Sequence, residues 1–242
     1  MAKRLILALL LGLAAGWAGE TLLLLERHCT QAERLLREDF AVLLFLKEEP
    51  EASRQKVLAE KLLALPRVAA ACYVSSQEAL SRVRRADPEL VESVTLVGDN
   101  PLQPAYEVRL TSLERLEEWL SQAQALADWA DIRYKPAQVK AALQAGFYAS
   151  FLNLAWSALL CLGGLMAAAA LWASRRGGLS RRGALAALSS AAGAGCGAVL
   201  ASLAAWPIRA VSPWWAWPSG GCQALLLLGA AAAGWVLCGS GE

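Results

Sequence analysis

From residue 147 to 241 the chain carries no aspartate or glutamate, and its only basic residues there are Arg175, Arg176, Arg181, Arg182 and Arg209. Two runs inside this stretch, 147–173 and 184–208, hold no charge at all. A helix crosses a hydrocarbon core of about 30 Å with about 20 apolar residues. Runs of this length have no place in a water-soluble core. The hydrophobic share of 57% and the charged share of 18% depart the same way from the roughly 45–50% and about 25% of soluble domains. A soluble single domain, a disordered chain and, at a net charge of +2, a nucleic-acid binder are excluded.

Charge is concentrated in 26–140, which holds 16 of the 23 basic and 19 of the 21 acidic residues. The sequence therefore predicts four transmembrane helices and one water-exposed domain, long enough to build its own core. The spans are 5–25, 147–173, 184–208 and 222–239. The first has a rival reading as a cleaved signal peptide: it has a basic start at Lys3 and Arg4, an apolar run, and small residues near 15–19. Against this, the apolar run continues past Glu20. That acid costs energy unless it sits near the outer interface or faces another helix, and its position fits the interface.

Basic residues in short loops set orientation. Lys3 and Arg4 in segment 1–4, and Arg175, Arg176, Arg181 and Arg182 in the loop 174–183, belong in the cytoplasm. Both termini are then cytoplasmic, and the charged domain and the turn 209–221 lie outside. Trp206, Trp214, Trp215 and Trp217 mark that turn as an interfacial anchor rather than an aromatic ligand box. The third span contains Gly193 and Gly197 four residues apart, a face for close helix packing, within the chain or across a homodimer.

The exposed domain begins with a juxtamembrane helix, 26–39. Strand patterns follow at 40–46, 68–74, 104–110 and 129–134. Pro50 opens a helix bearing Val57, Leu58, Leu62, Leu63 and Leu65. Ser112 is read as the cap of another, bearing Leu113, Leu116, Trp119, Leu120 and Leu126. Two strand-helix-strand units on one antiparallel sheet predict a ferredoxin-like α+β domain over 40–136. Its inserted helical lobe is 76–103, started by Ser75 or Ser76 with Glu78 as a capping-box partner. The lobe reads as helices packed on the sheet, or as a groove presenting apolar side chains to a partner.

Catalytic chemistry is not apparent. His28 is the only histidine, so H-E-x-x-H metal ligation is ruled out, and no phosphate-cradling G-x-x-x-x-G-K-[ST] loop occurs. No cofactor or metal is expected. Four of the six cysteines lie in or beside spans. Cys72 is expected in a strand core and Cys29 near the membrane, which makes a bridge between them improbable.

Three blocks carry a resemblance. Phe40-Ala41-Val42-Leu43-Leu44-Phe45-Leu46-Lys47 looks like the first strand of the FtsX extracellular domain. Leu65-Pro66-Arg67-Val68 followed by Cys72-Tyr73-Val74-Ser75-Ser76-Gln77-Glu78-Ala79-Leu80 is similar to the family stretch LPGV…YVSKEEAL. Asp99-Asn100-Pro101-Leu102-Gln103-Pro104-Ala105-Tyr106-Glu107-Val108 is similar to NPLPASFEV. The chain thus resembles the FtsX family, the membrane subunit of the bacterial cell-division complex FtsEX.

The resemblance implies a non-catalytic, multi-pass subunit of the bacterial plasma (inner) membrane in an ABC-type mechanotransmission complex. Its partners would be an FtsE-type ATPase and a peptidoglycan hydrolase or coiled-coil activator. By position in the lobe, Leu80, Val83, Leu90, Val91, Val94, Leu96 and Val97 are the contact candidates. Members carry a stretch of the form EIEIMKLVGA after the second span, and 174–183 holds no counterpart, which predicts weak or absent ATPase coupling. Two other readings stand beside it. One is a membrane-anchored extracytoplasmic binding module without ATPase coupling. The other, a transporter permease, is disfavoured because the spans hold no charge pair for a polar substrate.

Overall fold

The computed structural model describes residues 2–87, 100–177, 180–212 and 215–239. The chain forms two compact units, 33–143 and the combination of 1–32 with 144–242. The elements are α1 (Ala2–Glu38), β1 (Val42–Leu46), α2 (Ala52–Leu63), β2 (Val68–Val74), α3 (Ser76–Ala86), β3 (Ala105–Leu110), α4 (Leu116–Gln124), β4 (Trp129–Arg133), α5 (Pro136–Gly177), α6 (Arg181–Val211) and α7 (Gly220–Gly234). A π-helical turn, Trp235–Gly239, follows α7.

In the unit 33–143 the four strands lie in the order β2-β3-β1-β4, and each neighbouring pair is antiparallel. Two strand-helix-strand crossovers, each leaving a gap that a strand of the other fills, give this order, so the domain is ferredoxin-like. Alternation along β1 and β3 sends Val42, Leu44, Tyr106 and Val108 to one face, where all four are fully buried. Onto that face pack Leu58 and Leu62 of α2 and Leu116, Trp119 and Ala123 of α4. Val57 and Leu63, expected on the same stripe of α2, are instead exposed, because a single sheet face covers only a narrow arc of a helix. Tyr106 closes the core: its hydroxyl donates to the Gln55 carbonyl at 2.8 Å, and its ring meets Trp129 edge-on at 6.2 Å. Burial pushes the Tyr106 phenol above its ordinary pKa.

Two expectations are corrected here. Ser112 does not cap the second crossover helix, which starts four residues later at Leu116. Its hydroxyl accepts from Glu114 N within a turn at 3.3 Å, and Arg115 enters the helix from the left-handed region at φ 57°. Cys72 is in β2 but exposed, not in the core. A register shift between Val68 and Ala70 puts Ala71 and Tyr73 against the core, so Cys72 pairs with Glu107 on the open face. Cys72 and Cys29 are both free thiols.

Arg67 also has a positive φ, 68°. It occupies the place of the glycine in the LPGV stretch, which explains that residue physically: the turn needs a left-handed conformation. The turn is held by the Arg67 carbonyl, which accepts from Thr111 N at 2.8 Å and Thr111 Oγ1 at 3.1 Å. Arg67→Gly is expected to change the stability of a 33–143 fragment by less than about 1 kcal/mol, relief of strain offsetting lost rigidity. Arg67→Val, β-branched at the same φ, is expected to cost about 1–2 kcal/mol. Urea unfolding midpoints of the two variants check the contrast.

The unit of 1–32 and 144–242 is helical. Among the described residues four helices are long and apolar enough to cross a membrane: Ala2–Glu38, Pro136–Arg175, Arg181–Val211 and Gly220–Cys238. The first two outrun a bilayer, since 37 and 42 residues at 1.5 Å each make about 55 and 63 Å. Segment 26–38 is the continuation of α1, and α5 starts at Pro136, well before 147. Pro136 stands at a first helical position, where its missing N–H costs nothing. Of the expected loop 174–183, residues 174–177 finish α5, and Arg181 and Arg182 open α6 behind Ser180, whose hydroxyl accepts from Gly183 N at 3.0 Å. In the expected turn 209–221, α6 continues to Val211 with Pro207 inside it.

Candidate functional site

The lobe is anchored where it leaves and rejoins the sheet. Ser75 caps α3 through a bond from Glu78 N at 3.2 Å. The Glu78 carboxylate does not complete a capping box; it pairs with Arg82 at 2.7 Å. Arg82 also reaches Glu107 of β3 at 3.0 Å, and Glu107 pairs with Arg109 at 3.2 Å. Bonds to Glu78 and Glu107 raise the Arg82 pKa further. Asn100 Nδ2 donates to the Ser76 carbonyl at 2.8 Å, so the two ends of the lobe are joined directly.

Of the contact candidates, Leu80 and Val83 stand three residues apart on α3, both half-buried. Leu90, Val91, Val94, Leu96 and Val97 lie outside the described residues. No residue of α3 is fully buried. Among the described residues no group of three or more His, Cys, Asp or Glu is placed to hold a metal ion. Of the loop arginines, Arg175 and Arg181–Arg182 are exposed.

Sequence reasoning left open what the small face of α6 packs against. It packs against α1. A Cβ added at Gly193 or Gly197 would overlap the carbonyl oxygens of Leu9 or Leu13, and one at Gly12 or Gly16 those of Ser190 or Ala194. The four glycines let the two backbones touch. Rising numbers on α1 meet rising numbers on α6, so the helices run parallel. On the other side, α7 returns antiparallel to α6: Ser190 Oγ donates to the Ala230 carbonyl at 2.7 Å, and Gly234 lies against Ser190 and Ala186.

Glu20 faces other helices, one of the two placements that lower the cost of an acid in a span. It is fully buried, and its Oε1 accepts from Gln223 Nε2 of α7 at 2.8 Å and from Ser202 Oγ of α6 at 3.2 Å. The signal was present in the spacing: Gly12, Gly16 and Glu20 are four apart and share a helix face. Near the α6 end, Trp206 and Trp217 pack at 6.3 Å, Trp215 and Trp217 at 5.5 Å, and the Arg209 guanidinium lies 4.9 Å over the Trp206 ring.

A ferredoxin-like domain with a tied insertion, carried on a chain with four apolar helices, defines a membrane protein with one folded exposed domain. Residues 39–145 match the family model described as FtsX extracellular domain. The domain belongs to that family, and the match supports membership of the chain in the FtsX family. FtsX proteins are non-catalytic membrane subunits that work with FtsE in cell division, and their extracellular domains bind hydrolase regulators. The domain and the four apolar helices together point to an inner-membrane protein. No curated protein matches the chain.

Proposed function

We propose that this chain is the membrane subunit of an ABC-type mechanotransmission complex. In it an FtsE-type ATPase acts on the cytoplasmic side. The outer domain recruits and activates a peptidoglycan hydrolase, or its coiled-coil activator, during cell division. The observation that carries this reading is the FtsX extracellular domain at 39–145. The binding face is the lobe, with Leu80, Val83, Leu90, Val91, Val94, Leu96 and Val97 as contacts. The first helix is retained as an anchor, because its glycine face is complementary to α6. Arg175, Arg176, Arg181 and Arg182 hold their connection in the cytoplasm. Helix stability does not account for Arg181 and Arg182, since cations in a first turn oppose the helix dipole.

A second reading, a binding module without ATPase coupling, is favoured by one observation. The stretch 174–183 holds no acid and has three glycines in ten residues, which gives no separate amphipathic helix to dock on an ATPase. Reconstitution of the full chain in nanodiscs with the FtsE-type ATPase of the same genome tests both. Nucleotide-dependent hydrolase activation supports transmission. Regulator binding without a stable ATPase complex supports the plain module, and the absence of both overturns the pair. Val94→Glu is expected to abolish regulator binding while leaving the thermal transition of the domain within a few degrees. Unfolding would assign Val94 to the core, where an unpaired carboxylate is costly.

A further inference from the structure

α6 and α7 touch closely where Gly234 meets Ser190 and Ala186. Towards the other end of the pair a groove of about 370 Å³ lies between them. Its walls are Val199 and Leu203 of α6 and Leu226 and Leu227 of α7. Ser202 and Gln223 also line it, and each donates a hydrogen bond to the buried Glu20. The rest of the surface offered to an occupant is apolar. Along α6 the groove runs from Gly195 to Trp206, which at 1.5 Å for each residue is about 16 Å. That is the depth of one leaflet, half of a hydrocarbon core of about 30 Å.

Trp206 and Trp217 stand at one end of the groove, at the level where tryptophan marks the headgroup layer. The Arg209 guanidinium lies over the Trp206 ring. Arg209 is the only charged residue from 183 to 241. It is exposed, and among the described residues it has no carboxylate partner. In the orientation read from the loops it lies outside, where basic residues are disfavoured. A cation there does complement the C-terminal end of the α6 dipole, a role that lysine fills equally. Stacking on Trp206 adds something specific to arginine: it sets the plane of a fork that binds phosphate through two N–H groups.

We propose that this groove holds one acyl chain of an anionic phospholipid, phosphatidylglycerol, with its phosphate on Arg209. The charges complement each other, because a cation without a partner meets a net anion; phosphatidylethanolamine brings an ammonium of its own. The heights agree as well. The phosphate ligand stands at the tryptophan level, and the apolar channel descends from it by one leaflet. A free phosphate uses Arg209 alone and gains nothing from the channel.

The test uses the full chain in phosphatidylethanolamine nanodiscs that contain a small share of phosphatidylglycerol with a diazirine on one acyl chain. Photolysis followed by peptide mass spectrometry locates the label. It is expected to concentrate on the groove residues of α6 and α7, well above the exposed α5 positions Leu154 and Leu165. Arg209→Gln is expected to lower the groove label about fivefold, the share of one basic residue beside anionic lipid, and to leave the α5 label unchanged. Gly195→Leu fills the foot of the groove, where a Cβ meets only Leu227 at 4.0 Å, and is expected to lower the groove label too. The same diazirine on phosphatidylethanolamine is expected to label the groove weakly, with no dependence on Arg209. An even spread of label over the helices, equal labelling by the two lipids, or an unchanged pattern in Arg209→Gln overturns the proposal. Should Gly195→Leu not insert, Val199→Phe fills the groove from an exposed position, and unchanged labelling in that variant overturns it equally. Neither an ATPase nor a hydrolase enters the measurement, so the result stands apart from the proposed function.

Discussion

Replacing Tyr106 with alanine is expected to remove about 3–5 kcal/mol from the exposed domain, the range for deleting a buried large aromatic. The side chain is fully buried and packs on Tyr73 at 5.4 Å as well as on Trp129. Its hydroxyl is the direct tie from β3 to the Gln55 carbonyl of α2. Truncation opens a cavity in the middle of the sheet and removes that tie, while the Gln55 carbonyl keeps its place in the helical ladder. A domain of this size has only about 5–15 kcal/mol in total, so the variant sits near the edge of folding. Tyr106→Phe keeps the ring and loses only the bond, about 1 kcal/mol. Urea unfolding of 33–143 followed by circular dichroism measures both. Near-equal midpoints for the two variants would show that the ring is not the centre of this core.

In the helical unit the largest expected effect belongs to Gly16→Leu. A Cβ at this position would overlap backbone atoms of Ala194, and backbone cannot swing aside as a flexible side chain does. The helices must separate along the whole seam. Overpacking costs typically about 1–3 kcal/mol and sometimes more, and backbone-on-backbone contact puts this case at or above the upper end. Gly164→Leu is the control, since nothing lies within 4 Å of a Cβ there. Unfolding of the full chain in mixed micelles of rising SDS content is expected to begin earlier for the first variant and to be unchanged for the second. Equal behaviour would mean that α1 is not seated on α6 in the membrane.

The legible parts of this chain share a physical origin. Strands and spans were readable from where polar residues fall: 40–46 is a short apolar run bounded by charge, Tyr106, Val108 and Leu110 alternate with Glu107 and Arg109, and 184–208 carries no charge. What escaped depends on the neighbour. Cys72 follows apolar alanines and looked like core, but a register shift in β2 turned it outward. Ser112 has the chemistry of a helix cap, yet the chain spends three more residues in a turn, with Arg115 left-handed, before the helix begins. The partners of Glu20 were not legible, because a single acid in an apolar run says nothing of Ser202 and Gln223, 182 and 203 positions away. Of the partner-contact candidates, Leu80 and Val83 fall on α3.

The bond between Asn100 and the Ser76 carbonyl makes the lobe modular. The chain leaves the sheet and comes back to it at one point, and among the described residues the Arg82–Glu107 pair is a further tie between the insertion and the sheet. Closing a loop costs little more as it lengthens, about 0.6 kcal/mol for each doubling. Sequence between the two tied residues can therefore be lengthened, shortened or exchanged for that of another domain with little penalty to the sheet beneath it. Partner choice can drift quickly over evolutionary time on a scaffold that hardly changes, and chimaeras joined at Ser76 and Asn100 are the natural way to move one chain's specificity onto another.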